Sequence, residues 1–124
     1  MALQIRDFFE TYARAFDRAD VCRIASFYST PCLFVDPDRV TLVEDGNALH
    51  LALSELVAFH RDQGVSRAAV ASADCKCLGP TLALATIGWY VYGPSGTRHW
   101  AFTNTYNLVK ADSRWGIVVS TTHG

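Results

Sequence analysis

Three polar residues lie where the sequence otherwise predicts apolar surface, and their types are those of proton-transfer chemistry. Tyr12 falls in the hydrophobic stripe of the first predicted helix, Asp36 ends a short apolar strand, and Asn104 interrupts the apolar face of an aromatic strand. A carboxylate can take up a proton, whereas a hydroxyl and an amide can donate hydrogen bonds. Because burying a polar group is costly unless it finds a partner, three such groups from distant segments predict one polar-lined pocket.

Each of these residues also has a purely structural interpretation. Tyr12 could be a core tyrosine whose hydroxyl reaches a backbone carbonyl. Asp36 precedes a proline and could be a solvated turn residue, while Asn104 could bond a neighbouring helix through its amide. The catalytic interpretation requires Asp36 to point inward beside Phe34, and the local pattern leaves this open because both faces of its strand are apolar.

Aromatic side chains and one histidine are the candidate walls of such a pocket. Alternate residues of a strand share a side, so the aromatic residues of the predicted strand 98–110 lie on the same face as Asn104. His60 lies near the apolar stripe of the third predicted helix, a position more typical of a packed or surface histidine than of a base. The predicted ligand contacts are Phe34, His60, Trp100, Phe102 and Tyr106.

The order of elements predicts a single α+β domain over residues 1–124. Helices are predicted over residues 3–18, 21–28 and 48–62, and short strands over residues 32–36 and 40–43. Longer strands, joined by turns rich in Gly, Pro, Asp and Ser, are predicted over residues 66–78, 81–92, 98–110 and 114–122. We expect three N-terminal helices packed on a strongly curved mixed or antiparallel sheet that forms a conical pocket.

Composition and charge narrow the classes of function. The chain has 124 residues, of which 50% are hydrophobic and 19% charged, and its formal net charge is −1. Nucleic-acid binding requires clustered Lys and Arg, whereas the arginines here are scattered, so we expect no nucleic-acid partner. No apolar stretch approaches the ~20 residues that span a bilayer, and the N-terminus lacks the pattern of a signal peptide. We therefore expect no membrane partner and a cytoplasmic location.

The cysteine pattern gives no sign of a metal or redox centre. Cys75 and Cys77 are separated by one residue, which is not the Cys-x-x-Cys spacing of redox or zinc sites. Residues two apart on a strand share a face, so two packed thiols are the simpler interpretation. Cys22 and Cys32 have no matching histidine spacing. We expect reduced cysteines, no bound metal and no cofactor.

The element order and several motifs resemble the nuclear transport factor 2-like superfamily, whose fold is a cone-shaped α+β domain. The resemblance covers essentially the whole chain. It is strongest over Tyr-Ala-Arg-Ala-Phe-Asp-Arg-Ala-Asp from Tyr12, then Ile24 to Tyr28, then Phe-Val-Asp-Pro from Phe34. Trp-Gly-Ile from Trp115 also opens the last strand as it does in many members. The helix pair followed by a strand ending in Asp-Pro is similar to the ketosteroid isomerases and polyketide cyclase-like members.

The resemblance to the isomerases implies roles for the three polar residues. Tyr12 falls on their oxyanion-hole tyrosine, and Asp36 falls on the general base that moves a proton next to a ketone. Asn104 falls near their second oxyanion donor, which is a protonated aspartate. An amide still donates there at any pH, although more weakly. Dehydratases of the superfamily use histidines, which draws attention to His60.

Two functions of different classes therefore stay open. The first is a cofactor-independent isomerase or cyclase that performs acid–base chemistry next to a carbonyl of a small hydrophobic molecule. The second is a non-catalytic domain of the same fold that binds a small ligand or serves only to dimerise, with a cone filled by aromatic side chains.

The second of the long meander strands predicts a homodimer through the sheet. Ile87, Trp89 and Val91 alternate along it with Tyr90 and Tyr92, so both faces of the strand are apolar. A strand that is apolar on both faces is expected to be covered on both. Aromatic residues are also enriched at protein–protein interfaces. We therefore expect a second copy of the chain on the outer face.

Overall fold

Helices cover one face of a mixed β-sheet in the computed structural model, which describes residues 2–124. The elements of these residues are α1 (Ala2–Asp17), α2 (Val21–Ala25), β1 (Tyr28–Asp36), β2 (Arg39–Val43), α3 (Gly46–Asp62), β3 (Arg67–Cys77), β4 (Leu82–Tyr92), β5 (Arg98–Ala111) and β6 (Arg114–Thr122). The predicted α+β class and element order are confirmed. No helix within residues 2–124 is long and apolar enough to cross a membrane.

The sheet has the strand order β2-β1-β6-β5-β4-β3 within the described residues, and it is not closed. Strands β3 to β6 form the predicted antiparallel meander. Strand β1 pairs parallel with β6 and antiparallel with β2, so the sheet is mixed. This parallel pairing brings the first strand, which carries Asp36, beside the last strand of the meander.

The helices present the predicted apolar stripes to the sheet. In α1, Ile5, Phe9 and Tyr12 are buried, as their three- and four-residue spacing predicts. In α3, Leu49, Leu53 and Val57 are buried in the core. Side chains on the adjacent side of α3, which include Leu56 and His60, instead line a cavity. Helix α3 therefore serves both the core and the candidate site.

The boundary between α2 and β1 differs from the prediction. The sequence pattern predicts a helix as far as Tyr28 and a strand beginning only at Cys32, whereas α2 ends at Ala25 and β1 begins at Tyr28. Pairing across the sheet decides this, because the Ile117 N–H donates to the Phe27 carbonyl at 2.9 Å and Tyr28 lies opposite Ile117. Pro31 lies where the register with β6 shifts, a place at which a strand tolerates proline.

Helix α3 is capped at both ends by specific hydrogen bonds. The Asp45 carboxylate accepts the Ala48 N–H at 2.9 Å, the N-cap bond that an Asp before a helix typically makes. At the other end the N–H groups of Gly64 and Val65 donate to the carbonyls of Arg61 and His60, each at 3.0 Å. This pattern is a Schellman motif, with Gly64 in the left-handed region at φ +79°. The motif fixes the last turn of the helix, to which His60 belongs.

Replacing Gly64 with alanine should destabilise the domain by about 1 kcal/mol, because an alanine disfavours the left-handed backbone that the motif requires. Gly46 is the matched control: it starts the same helix, and a Cβ there would meet no atom within 4 Å. Gly46→Ala should leave stability unchanged or slightly higher. Urea unfolding of both variants checks this, and an equal loss in the two would contradict it.

Candidate functional site

A cavity of about 660 Å³ lies between helices α1 and α3 and the inner face of the sheet. Its walls are mainly apolar, with polar groups contributed by β1, β5 and β6. The structure places every residue that the sequence singled out on this one cavity: Tyr12, Phe34, Asp36, His60, Trp100, Phe102, Asn104 and Tyr106. Their position is therefore established, while their catalytic and ligand-binding roles stay predictions.

Tyr12 lies at the inner wall, and its hydroxyl is paired with a second tyrosine. It is 6% exposed, and its Oη lies 2.8 Å from the Oη of Tyr28. Burial raises the pKa of Tyr12 to about 12, partly offset by the bond from Tyr28. Burial also raises the pKa of Tyr28 well above its ordinary value, as does the nearby Tyr12 hydroxyl. Both hydroxyls are thus neutral at physiological pH, and one of their two hydrogens is left for a ligand.

A second set of polar side chains lies on β5 and on the strands that flank it, β4 and β6. The Trp89 indole N–H donates to the Tyr106 hydroxyl at 3.1 Å, and Asn104 Nδ2 donates to Ser120 Oγ at 3.0 Å. Burial raises the pKa of Tyr106 well above its ordinary value. Asn104 is only 7% exposed, and its Oδ1 is buried without a hydrogen-bond partner in residues 2–124. The cavity wall therefore contains neutral donors and an unsatisfied acceptor oxygen.

Asp36 lies at the mouth of the cavity rather than inside it. Phe34 and Asp36 are on the cavity side of β1, which the sequence left undecided, but the Asp36 side chain is exposed. One carboxylate oxygen accepts the Asp38 N–H at 2.8 Å, as in an Asx turn. Arg39 lies opposite Asp36 across the β-hairpin and also lines the mouth. The burial that the catalytic interpretation assumed is thus absent, while access to the cavity is present.

His60 lies among aromatic rings on the wall formed by α3. Its ring centroid is 5.2 Å from that of Phe16 and 6.4 Å from that of Trp100. Nδ1 is buried and has no hydrogen-bond partner in the described part of the chain. Burial lowers the pKa of His60 from its ordinary value of 6.5. His60 also lines a smaller cavity of about 350 Å³.

The lowered pKa of His60 predicts that stability falls in mild acid. As the pH falls, His60 of the unfolded chain takes up a proton near pH 6.5, whereas His60 of the folded chain does so only at lower pH. The stability that depends on a neutral His60 is therefore complete above pH 6.5 and is lost as the pH falls below it. We expect His60→Gln to remove this part of the pH dependence. His50→Gln, at an exposed position of the same helix, should retain it. Urea unfolding between neutral and mildly acidic pH measures both, and identical pH profiles for the two variants would contradict the prediction.

Sequence reasoning missed the two cavity residues that hydrogen-bond to Tyr12 and Asn104, namely Tyr28 and Ser120. The helical pattern puts Tyr28 at the end of a helix, although it belongs to β1. Simple alternation from Ile117 would point Ser120 outward, but the register of β5 with β6 shifts between Asn107 and Leu108 and turns it inward. Trp89 is recognisable from the sequence as a possible wall, but the bond from its indole to a tyrosine on the next strand depends on the strand register.

The described residues show no cluster suited to a metal. Within residues 2–124, no group of three or more His, Cys, Asp or Glu side chains is placed to hold an ion. The cysteines are all unbridged in this part of the chain. The expectation that no cofactor is needed stays a prediction.

Comparison with known proteins decides the family. The family described as "NTF2-like protein (DUF6841)" matches residues 3–124. This chain belongs to that NTF2-like family. The resemblance drawn from the sequence motifs is thereby confirmed at the level of the superfamily. A search of curated proteins gave no match.

Solved structures agree with this NTF2-like assignment over nearly the whole chain. A cystatin-like fold protein of unknown function from Nostoc punctiforme has a TM-score of 0.78 at 12% identity, over 98% of this chain and 88% of its own. An NTF-2 like protein of unknown function from Shewanella oneidensis has a TM-score of 0.76 at 14% identity, with 97% and 96% covered. A ketosteroid isomerase-like protein from Erwinia carotovora has a TM-score of 0.71 at 17% identity, with 98% and 94% covered. At such identities the likeness shows the fold and not a reaction.

Proposed function

We propose that this NTF2-like domain binds a small, mainly apolar carbonyl compound in the cavity and moves a proton next to the carbonyl without a cofactor. One observation carries the proposal. A single cavity brings together a carboxylate at its mouth, a pair of neutral phenol hydroxyls and a buried amide, from segments far apart in the chain. Its volume of about 660 Å³ lies within the range of about 300 to 1,000 Å³ that is usual for small-molecule sites.

Asp36 and the Tyr12–Tyr28 pair have different roles in the proton transfer. A carboxylate oxygen of Asp36 takes the proton from the carbon beside the carbonyl, and the electron pair of that C–H bond forms the carbon–carbon double bond of an enolate. The carbonyl π electrons move to the oxygen, which accepts a hydrogen bond from the free O–H of the Tyr12–Tyr28 pair. Asp36 then returns the proton to the same or another carbon of the conjugated system, so no external reactant is consumed.

Hydrogen exchange in D₂O tests this reaction without knowledge of the natural substrate. Tetralone, a bicyclic ketone, is incubated with the protein, and the loss of its α-hydrogen signals is followed by proton NMR. We expect exchange well above the buffer rate. Tyr12→Phe should reduce it about a hundredfold, because loss of one donor to the developing oxyanion has an effect of this order. Tyr90→Phe, on the outer face of the sheet, is the control and should exchange as the unaltered protein does. No acceleration by the unaltered protein would contradict the proposal.

A non-catalytic ligand-binding domain is the second candidate, and the position of Asp36 favours it. The carboxylate is exposed and already accepts a backbone N–H, which is what a purely structural turn residue does. Under this alternative, calorimetry detects binding of the ketone while NMR detects no exchange. Binding would then survive Asp36→Asn unchanged.

We also propose that a second copy of the chain covers the outer face of the sheet. The tyrosines that prompted this expectation are partly covered within the chain, because the Arg98 guanidinium lies 4.4 Å from the centre of the Tyr90 ring and Arg67 lies 4.3 Å from that of Tyr92. The stronger support is a row of outward side chains aligned across five strands. This row runs through Leu42, Leu33, Val119, Asn107 and Leu84. Four of its five members are apolar, as at the centre of many interfaces between like subunits.

Leu84→Lys should shift the protein from dimer to monomer, because a charge in the middle of the row would lose its hydration on association. Light scattering coupled to size-exclusion chromatography measures the mass. Leu51→Lys is the control, since Leu51 is 61% exposed on α3, away from the sheet. A monomeric unaltered protein at micromolar concentration would rule out the dimer.

A further inference from the structure

The amide oxygen of Asn104 is the one buried side-chain oxygen on the cavity wall without a hydrogen-bond partner within residues 2–124. The side chain is oriented by its own bond, because Nδ2 donates to Ser120 Oγ at 3.0 Å. That bond uses the nitrogen end of the amide and leaves Oδ1 buried with nothing to accept. Buried carbonyl oxygens of amides nearly always find a donor, so a lone one calls for a specific explanation.

The Tyr106 hydroxyl is a neighbour of the Asn104 amide on the cavity wall. The Tyr106 hydroxyl accepts from the Trp89 indole, which has a hydrogen to give and no lone pair to receive. The hydrogen of Tyr106 therefore remains available, although it does not reach Oδ1 in this arrangement. Asn104 and Tyr106 lie two residues apart on the same face of β5. Burial has the larger effect and raises the pKa of Tyr106, but their side chains are close enough that the Asn104 amide lowers it in part. This stretch of the wall thus offers a donor and an acceptor side by side.

We infer that Asn104 Oδ1 accepts a hydrogen bond from the ligand, and that the ligand is a carbonyl compound which also carries a hydroxyl or N–H donor. The inference rests on the proposed function, since it assigns the carbonyl to the tyrosine hydroxyls and adds a second polar group to the same molecule. Asn104 then acts as an acceptor, whereas the sequence resemblance implied a donor to the enolate oxygen. A simple apolar ketone would leave Oδ1 unsatisfied and should bind less tightly.

Matched pairs of ketones test this inference directly. The probes are the isomeric hydroxytetralones, which are bicyclic ketones with one phenolic hydroxyl. Each is paired with its methyl ether, in which a methyl group replaces the hydrogen of that hydroxyl and so removes the donor. Isothermal titration calorimetry gives their affinities. We expect at least one hydroxytetralone to bind about tenfold more tightly than its ether, as one buried hydrogen bond allows.

Two variants separate recognition by Asn104 from its structural role. Asn104→Leu removes the acceptor at similar volume and should abolish the preference for the hydroxyl. Asn104→Asp loses the Nδ2 donor of the Asn104–Ser120 bond but keeps an acceptor oxygen, so the preference should survive. Near-ultraviolet circular dichroism confirms that both variants are folded, and if Asn104→Leu does not fold, Asn104→Ala takes its place and should likewise lose the preference.

The outcomes distinguish this inference from the proposed function. If hydroxytetralones and ethers bind equally well, the inference is wrong and the carbonyl-binding pocket stands. A preference that persists in Asn104→Leu also overturns the inference, because another group then recognises the hydroxyl. If no tetralone of either kind binds, both the inference and the proposed pocket are wrong.

Discussion

Replacing Asp36 with asparagine should reduce the exchange of ketone α-hydrogens by about a thousandfold, within the range of general-base contributions. An amide cannot take up the proton at neutral pH, whereas the carboxylate can. The substitution should leave the fold intact. An asparagine oxygen can still accept the Asp38 N–H that Asp36 accepts now at 2.8 Å, so the turn is preserved.

Asp38→Asn is the matched control for this experiment. Asp38 is an exposed neighbour in the same turn, and its substitution removes the same charge without removing the proposed base. Exchange by the Asp38→Asn protein should stay close to that of the unaltered one. If Asp36→Asn exchanges at full rate, Asp36 is not the base. His60, whose lowered pKa keeps it neutral at pH 7, would then become the side chain to replace.

Replacing Phe9 with alanine should lower the free energy of unfolding by about 3–5 kcal/mol, the usual effect of removing a fully buried phenylalanine. Phe9 is 0% exposed in the core, and its ring centroid lies 4.5 Å from that of Tyr106 and 6.0 Å from that of Tyr12. The surrounding rings cannot close the space completely, so the variant loses both buried apolar area and contacts. Since the free energy of unfolding of a native domain is only about 5–15 kcal/mol, the loss is a large share of the total stability.

Phe59→Ala is the control for the core substitution. Phe59 is 55% exposed on α3 and should lose far less stability, so urea unfolding of the two variants compares the same change in different surroundings. Similar losses would contradict the assignment of Phe9 to the core. Because Phe9 contacts both tyrosines, Phe9→Ala should also weaken ketone binding at a temperature where the protein is still folded.

The sequence by itself determined the elements whose pattern repeats regularly. The apolar spacing of α1 and α3 predicted helices that bury one side, and the cap at Asp45 marked where α3 begins. The helical stripe of α1 and the alternation of β5 were enough to assign inward positions to Tyr12 and Asn104. Such inferences succeed because the capping contact is made between residues close in the chain, and because the residue period of a helix or a strand decides which side chains share a face.

The tertiary structure alone decided which polar groups meet in the cavity. Both faces of β1 are apolar, so only its pairing with β2 and β6 puts Asp36 on the cavity side. Tyr28 joins the strand because Ile117 lies opposite it, and Ser120 faces inward because the register between β5 and β6 shifts. These placements depend on hydrogen bonds between residues far apart in the chain, and a local pattern carries no information about such pairings.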